Sequence, residues 1–412
     1  MNSRIRQQIW RWVRGLSVLG FGIFGVVSVF QSTQFLTLET AQLGHETHRP
    51  QSQFVGQNLS DIPWDLAPTH AETGDEKLEF AVSAAPYMPN AAETDDYHCF
   101  VIDPRLERDV MVTGVAVMPD NKRTVHHAIL FKIEGSVRLE ALERDRASGG
   151  KGWTCFGGPD VGGPAAGGNW VGAWAPGAGD GHFPDGVGIP LPKDALIVMQ
   201  VHYNLLNGFS ADRSRVALSI APEGKKLTSL STGLNIAPVE LPCADELNTP
   251  ACNRETVIRE NITKFGPIAG LVSKQMLGIC KQTLEQYQNA IGNASRLTGT
   301  CDRVTNTDLT LHAVAGHMHM RGQSIKLELN PDTNARKTLL HIPRWDFHWQ
   351  GNYWFRQPIQ VKQGDVIRIT CTFDNSTANQ PVIAGQPLEP RYVVWGEGTT
   401  DEMCLGVTME SR

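Results

Sequence analysis

The residues best equipped for chemistry in this chain are histidines and methionines gathered in a few short segments. Three of them are Thr124-Val125-His126-His127-Ala128, Gln200-Val201-His202-Tyr203-Asn204 and Gly316-His317-Met318-His319-Met320. A fourth, Gly396-Glu397-Gly398-Thr399-Thr400-Asp401-Glu402-Met403-Cys404, supplies a further methionine. Five imidazoles and a thioether make a donor set for copper, since imidazole binds both oxidation states and thioether favours Cu(I). The mixture points to copper that changes valence rather than to zinc or magnesium.

The spacing says how these groups could converge. His317 and His319 lie two apart in the apolar, partly alternating run Leu309–Met320, which reads as a strand, so both rings project from one face. His202 follows the strand-like run Ala195–Val201. His126 and His127 open another strand, and adjacent strand residues point to opposite faces. Both can reach one ion only at a strand end or a bulge. A single histidine on a strand is ordinarily a packing or surface residue, so His98, His182, His312, His341 and His348 are read as non-ligands. Met318 and Met320 alternate out of phase with the two histidines and read as core.

The elements that must position these residues follow from composition and punctuation. At 412 residues the chain has room for two domains, and 41% hydrophobic residues with 40 glycines suit turn-rich β structure. A net charge of −6 gives no general attraction to nucleic acid or anionic lipid. Arginines 4, 6, 11 and 14 precede an apolar run from Leu16 to Phe30, so residues 1–38 read as a signal peptide or an uncleaved signal anchor. Residues 39–75 read as a linker, 76–222 as a first domain and 228–412 as a second. The glycine-rich stretch 149–188 is a long loop and no phosphate loop, because no Gly-Lys-Ser/Thr follows. Within residues 243–301 the stretch Thr256–Ser295 lacks alternation and holds the helix-like Leu284–Ile291, so 243–301 reads as an insertion in the second domain. Eight cysteines without a Cys-x-x-Cys pair fit disulfides in an oxidising compartment, as expected of an exported chain. Asn58, Asn261, Asn293 and Asn375 head glycosylation sequons.

In order and approximate separation, the four segments resemble those of the copper type II, ascorbate-dependent monooxygenases, from about Tyr97 to the C-terminus. The most specific pieces are Gln200–Asn204, the His317-x-His319 strand and Gly398–Cys404, supported by Trp345–Gln350 and Asp374–Ser376. The resemblance implies an all-β fold of two consecutive antiparallel jelly-roll β-sandwich domains, one copper in each, facing across an open cleft. It implies a first copper on His126, His127 and His202 and a second on His317, His319 and Met403. It further implies disulfides Cys99–Cys155 and Cys371–Cys404, the latter clamping the chain beside Met403 and keeping Cys404 from acting as a thiolate ligand. The family's partner for Cys301 falls where this sequence has no cysteine, so Cys301 is expected to pair with Cys280, leaving Cys243 with Cys252.

The activity implied is hydroxylation of a C–H bond of a small organic substrate with O2, ascorbate or another one-electron donor supplying electrons. The second site would bind O2 and the first would store and deliver an electron. Three positions depart from the peptide-hydroxylating members: Ala315 replaces an arginine that binds a peptide carboxylate, and Leu405 and Val407 replace an asparagine and a tyrosine. A glycine-extended peptide is therefore not the expected substrate, and a more apolar pocket is. The alternative reading of the same donor set is an exported copper-binding protein without monooxygenase activity.

Overall fold

The computed structural model describes residues 64–65, 74–91, 93–163, 168–176, 178, 181–206, 208–244, 247, 249–288, 297–383 and 385–412. The export segment 1–38, nearly all of the linker, Asn58 and Asn293 lie outside the described residues. The described chain is all-β, built as two lobes of two stacked sheets each.

In the first lobe one sheet runs, in spatial order, Thr228–Ser229, Val187–Leu191, Val110–Met118, Arg215–Ile220 and Glu76–Ala81. The other runs Trp153–Thr154, Asp95–Ile102, Leu196–Asn204, Val125–Ile133 and Trp170–Trp174. Val112, Val115 and Leu218 from the first sheet meet Ile197, Met199 and Val201 from the second in one core. The pairing is antiparallel, except that Thr228–Ser229 runs parallel to Val187 and Gly188. The strand Leu196–Asn204 shows little alternation because both its faces are covered. Its outer face meets a second cluster of Leu196, Val198, Ala141 and the Cys99–Cys155 pair. Ala141 belongs to a helix, Val137–Ala147, for which hydrophobic periodicity gave no signal, as Ala141 is its only fully buried residue.

Leu230 is buried in the first core, and the chain then enters the second lobe at Ser231–Ile236. There one sheet orders Trp64–Asp65, Asn352–Val361, Leu309–His317, Leu405–Ser411 and Ser231–Ile236. The facing sheet orders Leu297–Val304, Val366–Phe373, Gly322–Leu329 and Lys337–Ile342. Leu311 and Val314 pack against Ile325, Leu327, Ile367 and Ile369 between them. Trp64–Asp65, inside the stretch read as linker, pairs with Trp354 and Phe355, so part of that stretch is an edge strand. The region 243–301 carries helices Arg254–Phe265, Pro267–Ile279 and Leu284–Gln288. Asn253 caps the first by accepting from the Thr256 amide, and Gly266 at φ 87°, followed by Pro267, breaks it from the second. No helix among the described residues is long and apolar enough to cross a membrane.

The disulfides are Cys99–Cys155, Cys243–Cys252, Cys280–Cys301 and Cys371–Cys404. Asn375 heads one of the four sequons. Its side chain is buried and its amide nitrogen donates to the carbonyls of Leu241, Pro242 and Arg391, so it is unavailable for glycosylation in the folded chain.

Candidate metal centre

A β-bulge makes the first cluster. Val125 pairs with Tyr203 and His127 with His202, so His126 is the extra residue between them. The bulge rotates His126 out of alternation and lets neighbouring rings turn to the same side. The result is a convergence of Nδ1 atoms, with His126 to His127 at 3.3 Å and His127 to His202 at 3.4 Å. One ligand atom from each of the three residues lies within 4.8 Å of the others.

The hydrogen-bond partners of the three rings decide whether this convergence can hold a cation. His202 donates from Nε2 to Asp95 Oδ1 at 2.9 Å, which leaves its Nδ1 lone pair facing the cluster. His127 Nδ1 faces two other Nδ1 atoms and can form an N–H···N bond with at most one. His126 Nε2 is buried with no partner. Lone pairs crowded together in a buried site fit a cation with imidazole preference, and copper suits that donor set. Burial first, then neighbouring histidine charges, push His126 and His127 well below the ordinary imidazole range, so both rings are neutral and able to ligate. Asp95 is held below the usual carboxylate range. Burial acts against this, but its bonds to His202 and Thr399 prevail.

The second group differs from a plain His-x-His strand. The strand ends at His317, whose cross-strand partner is Leu405, and His319 lies beyond it. The Glu402 carboxylate replaces the missing strand partner. It accepts from the amides of His319, Arg321 and Met403. Glu402 Oε1 takes both the His319 and the Met403 amides, which brings these two residues side by side, and Met403 is buried. His317 donates from Nδ1 to Gln350 Oε1 at 2.6 Å, and His319 from Nδ1 to the Asp401 carbonyl at 3.3 Å. Both therefore present Nε2 as the free donor. Burial lowers the His317 pKa to about 4 and puts His319 well below its ordinary value. Cys404, next to Met403, is bonded to Cys371 and offers no thiolate.

The two groups are not separated by an open cleft, contrary to expectation. The His127 and His317 rings are 5.7 Å apart, and the His317 and His319 rings 5.1 Å apart. Loop contacts close the gap. Phe347 stacks on His126 with centroids 4.3 Å apart and meets His319 edge-on at 6.1 Å. The Gln350 amide donates to Pro176 in the glycine-rich loop, and Trp345 Nε1 donates to the His319 carbonyl. Across the interface, Thr399 donates to Asp95 from both its amide and its hydroxyl.

Histidines read as non-ligands have other partners: His98 bonds the Lys151 carbonyl, His182 Ser219 and His312 Ser411, while His341 sits in the strand Lys337–Ile342. His348 is exposed beside Phe347. Met318 is core, whereas Met320 is only half-buried. Several positioning groups escaped the sequence reading: Asp95, Thr399, Glu402, Gln350 and Arg321. Arg321 is wholly buried and donates to Asn375, Gln380 and the Thr400 carbonyl. A charged residue right after the His-x-His run, in a segment otherwise apolar, was the available signal for it.

A two-lobed all-β chain with a buried cluster of histidines beside a methionine defines a class of copper protein. Residues 81–210 match the N-terminal domain, and residues 278–409 the C-terminal domain, of the copper type II ascorbate-dependent monooxygenases, and the chain belongs to that family. No curated protein matches the sequence. Among solved structures, infectious bursal disease virus (Gx strain) aligns at 7% identity and TM-score 0.15, over 84% of this chain and 80% of that one. The coconut allergen cocosin aligns at 9% identity and TM-score 0.13, over 77% of each chain. Oxalate decarboxylase of Bacillus subtilis aligns at 6% identity and TM-score 0.11, over 83% and 78%. Likeness at these scores carries no argument about fold or activity.

Proposed function

We propose that the protein is a copper-dependent monooxygenase that hydroxylates a C–H bond of a small organic substrate, with O2 as oxidant and ascorbate or another one-electron donor as reductant. One copper is assigned to His126, His127 and His202 through Nδ1, and a second to His317 and His319 through Nε2 with the Met403 thioether. The observation that carries this reading is the convergence of three Nδ1 lone pairs at the bulge, beside a histidine pair of different donor geometry.

Bound copper would supply one-electron transfer and O2 activation. The chain's own residues do the rest. Asp95, Gln350 and the Asp401 carbonyl fix ring tautomers, and Glu402 fixes the backbone on both sides of the thioether site. Phe347 and Trp345 keep water from the rings. Each turnover puts one oxygen atom into the C–H bond and reduces the other to water, consuming two electrons and two protons.

The sheet face bearing His317 supports an uncharged, apolar substrate group. Ala315 pairs with Val407, Val407 with Leu234, and Leu405 with Ile236, all on the side of His317. These five side chains are partly exposed and none is charged. The four disulfides suit an oxidising extracellular compartment. Export through residues 1–38, to the periplasm, to the medium or as a membrane-anchored chain with its domains outside the cytosol, accords with them.

The test is copper content followed by ascorbate-dependent O2 uptake across a panel of apolar and charged small molecules. Two coppers per chain are expected, falling to one in His202→Ala, with uptake stimulated by apolar members. One copper in the native chain would overturn the two-site reading. Two coppers with no substrate-stimulated uptake would favour a copper-binding protein without this activity.

A further inference from the structure

Asp95 lies at the start of the strand Asp95–Ile102, buried, where the two metal groups meet. Its Oδ1 accepts from His202 Nε2 at 2.9 Å, from the Thr399 amide at 3.0 Å and from the Thr399 hydroxyl at 2.5 Å. Its Oδ2 accepts from the Thr94 hydroxyl at 3.0 Å and faces Lys264 Nζ at 3.9 Å. Thr399 is fully buried and begins the five-residue segment that ends in Met403. Along that segment the Thr400 carbonyl accepts from Arg321, the Asp401 carbonyl accepts from His319 Nδ1, and Glu402 accepts from the amides of His319 and Met403. A second link joins the same elements. Tyr97 stacks on His202 with centroids 4.1 Å apart and planes at 10°, and its hydroxyl donates to the Glu397 carbonyl.

We propose that Asp95 and Thr399 form a hydrogen-bond bridge that makes copper binding at the histidine triad and at the thioether site interdependent, with Asp95 the positioning residue for His202. The inference rests on the two-copper reading above. A carboxylate behind a ligating imidazole fixes its tautomer and orientation. Here the same oxygen also holds the segment that carries the other site's sulfur. An ion on the triad immobilises the His202 ring, and with it Asp95 and Thr399. The segment ordered in this way needs less ordering when the second ion binds, so each ion strengthens the other, by the same factor in both directions.

The test uses the full-length, metal-free protein titrated with Cu(I). Occupancy of the thioether site is read from the infrared band of its carbon monoxide adduct, and the triad from the Cu(II) electron paramagnetic resonance signal after reoxidation. Asp95→Asn should weaken triad binding about 10–100-fold and alter the copper hyperfine splitting. An unchanged affinity and spectrum would refute the positioning role. The bridge is tested by a cycle of native, His126→Ala, Thr399→Val and the double variant. Disabling the triad should weaken thioether-site copper at least ~5-fold in the native background and less than about twofold in Thr399→Val. Equal effects in both backgrounds would refute the coupling while leaving the two-copper reading intact. A native chain that binds no copper would overturn both.

Discussion

Arg321→Met is the sharpest test of how this fold holds the proposed thioether ligand, Met403, in place. Arg321 is fully buried, and its guanidinium makes three hydrogen bonds, to Asn375 Oδ1 at 2.8 Å, the Thr400 carbonyl at 2.9 Å and Gln380 Oε1 at 2.9 Å. Hydrogen bonds from a charged donor contribute about 1.5–3 kcal/mol each, so the gross loss is roughly 5–9 kcal/mol. Methionine fills similar space and removes the several kcal/mol that desolvating a guanidinium costs. It also leaves three buried acceptors unpaired and strips Glu402 of its nearby cation. The net expectation is a loss of about 4 kcal/mol, or roughly 10 °C in Tm at about 2–4 °C per kcal/mol. Urea unfolding and thermal melts of the metal-free protein measure it. The carbonyl band of Cu(I) at the thioether site should shift, because Thr400 and Glu402 lose an anchor, while the triad resonance stays as in the native protein. A loss below about 1 kcal/mol with an unmoved carbonyl band would refute the idea that this network holds the Met403 segment.

Burial, reinforced by the Asp401 charge, raises the Glu397 pKa to about 8 from an ordinary 4.5. Between those values the unfolded chain has lost the proton that the folded chain keeps, so this group makes stability fall as pH rises, by up to about 1.4 kcal/mol per unit. Glu397→Gln should flatten the fall between pH 5 and 8 in urea midpoints; parallel profiles would count against it. Replacing Cys371 and Cys404 together by alanine opens a loop spanning 33 residues and should remove about 4 kcal/mol, with a broadened carbonyl band at the neighbouring thioether site. An unchanged, narrow band would show that the clamp is not what fixes Met403. Phe347→Ala removes the ring stacked on His126 and should cost roughly 3 kcal/mol while speeding copper extraction by a bulky chelator. Unaltered extraction would mean that Phe347 does not shield the site.

The sequence by itself singled out the candidate donor set and the chemistry it suits. Ligand type is a property of side chains, and His126, His127, His202, His317, His319 and Met403 could be named as candidates without coordinates. The all-β class was legible because alternation survives wherever one face of a strand is wet, as in Val366–Phe373. The requirement for a bulge or strand end at His126 and His127 was also legible, since the period of a strand is two. Which of those it would be, and which strand lies opposite, was decided only by pairing with Leu196–Asn204. The helix Val137–Ala147 escaped a periodicity reading because it lies on the surface, although its Leu, Glu, Arg and Ala content favours helix. The closeness of the two histidine groups was not legible at all. It depends on Asp95 meeting Thr399 across 304 residues of chain and on the Gln350 amide meeting Pro176. Such contacts leave no local trace, because a buried carboxylate, a threonine and a loop carbonyl look ordinary until the fold denies them water.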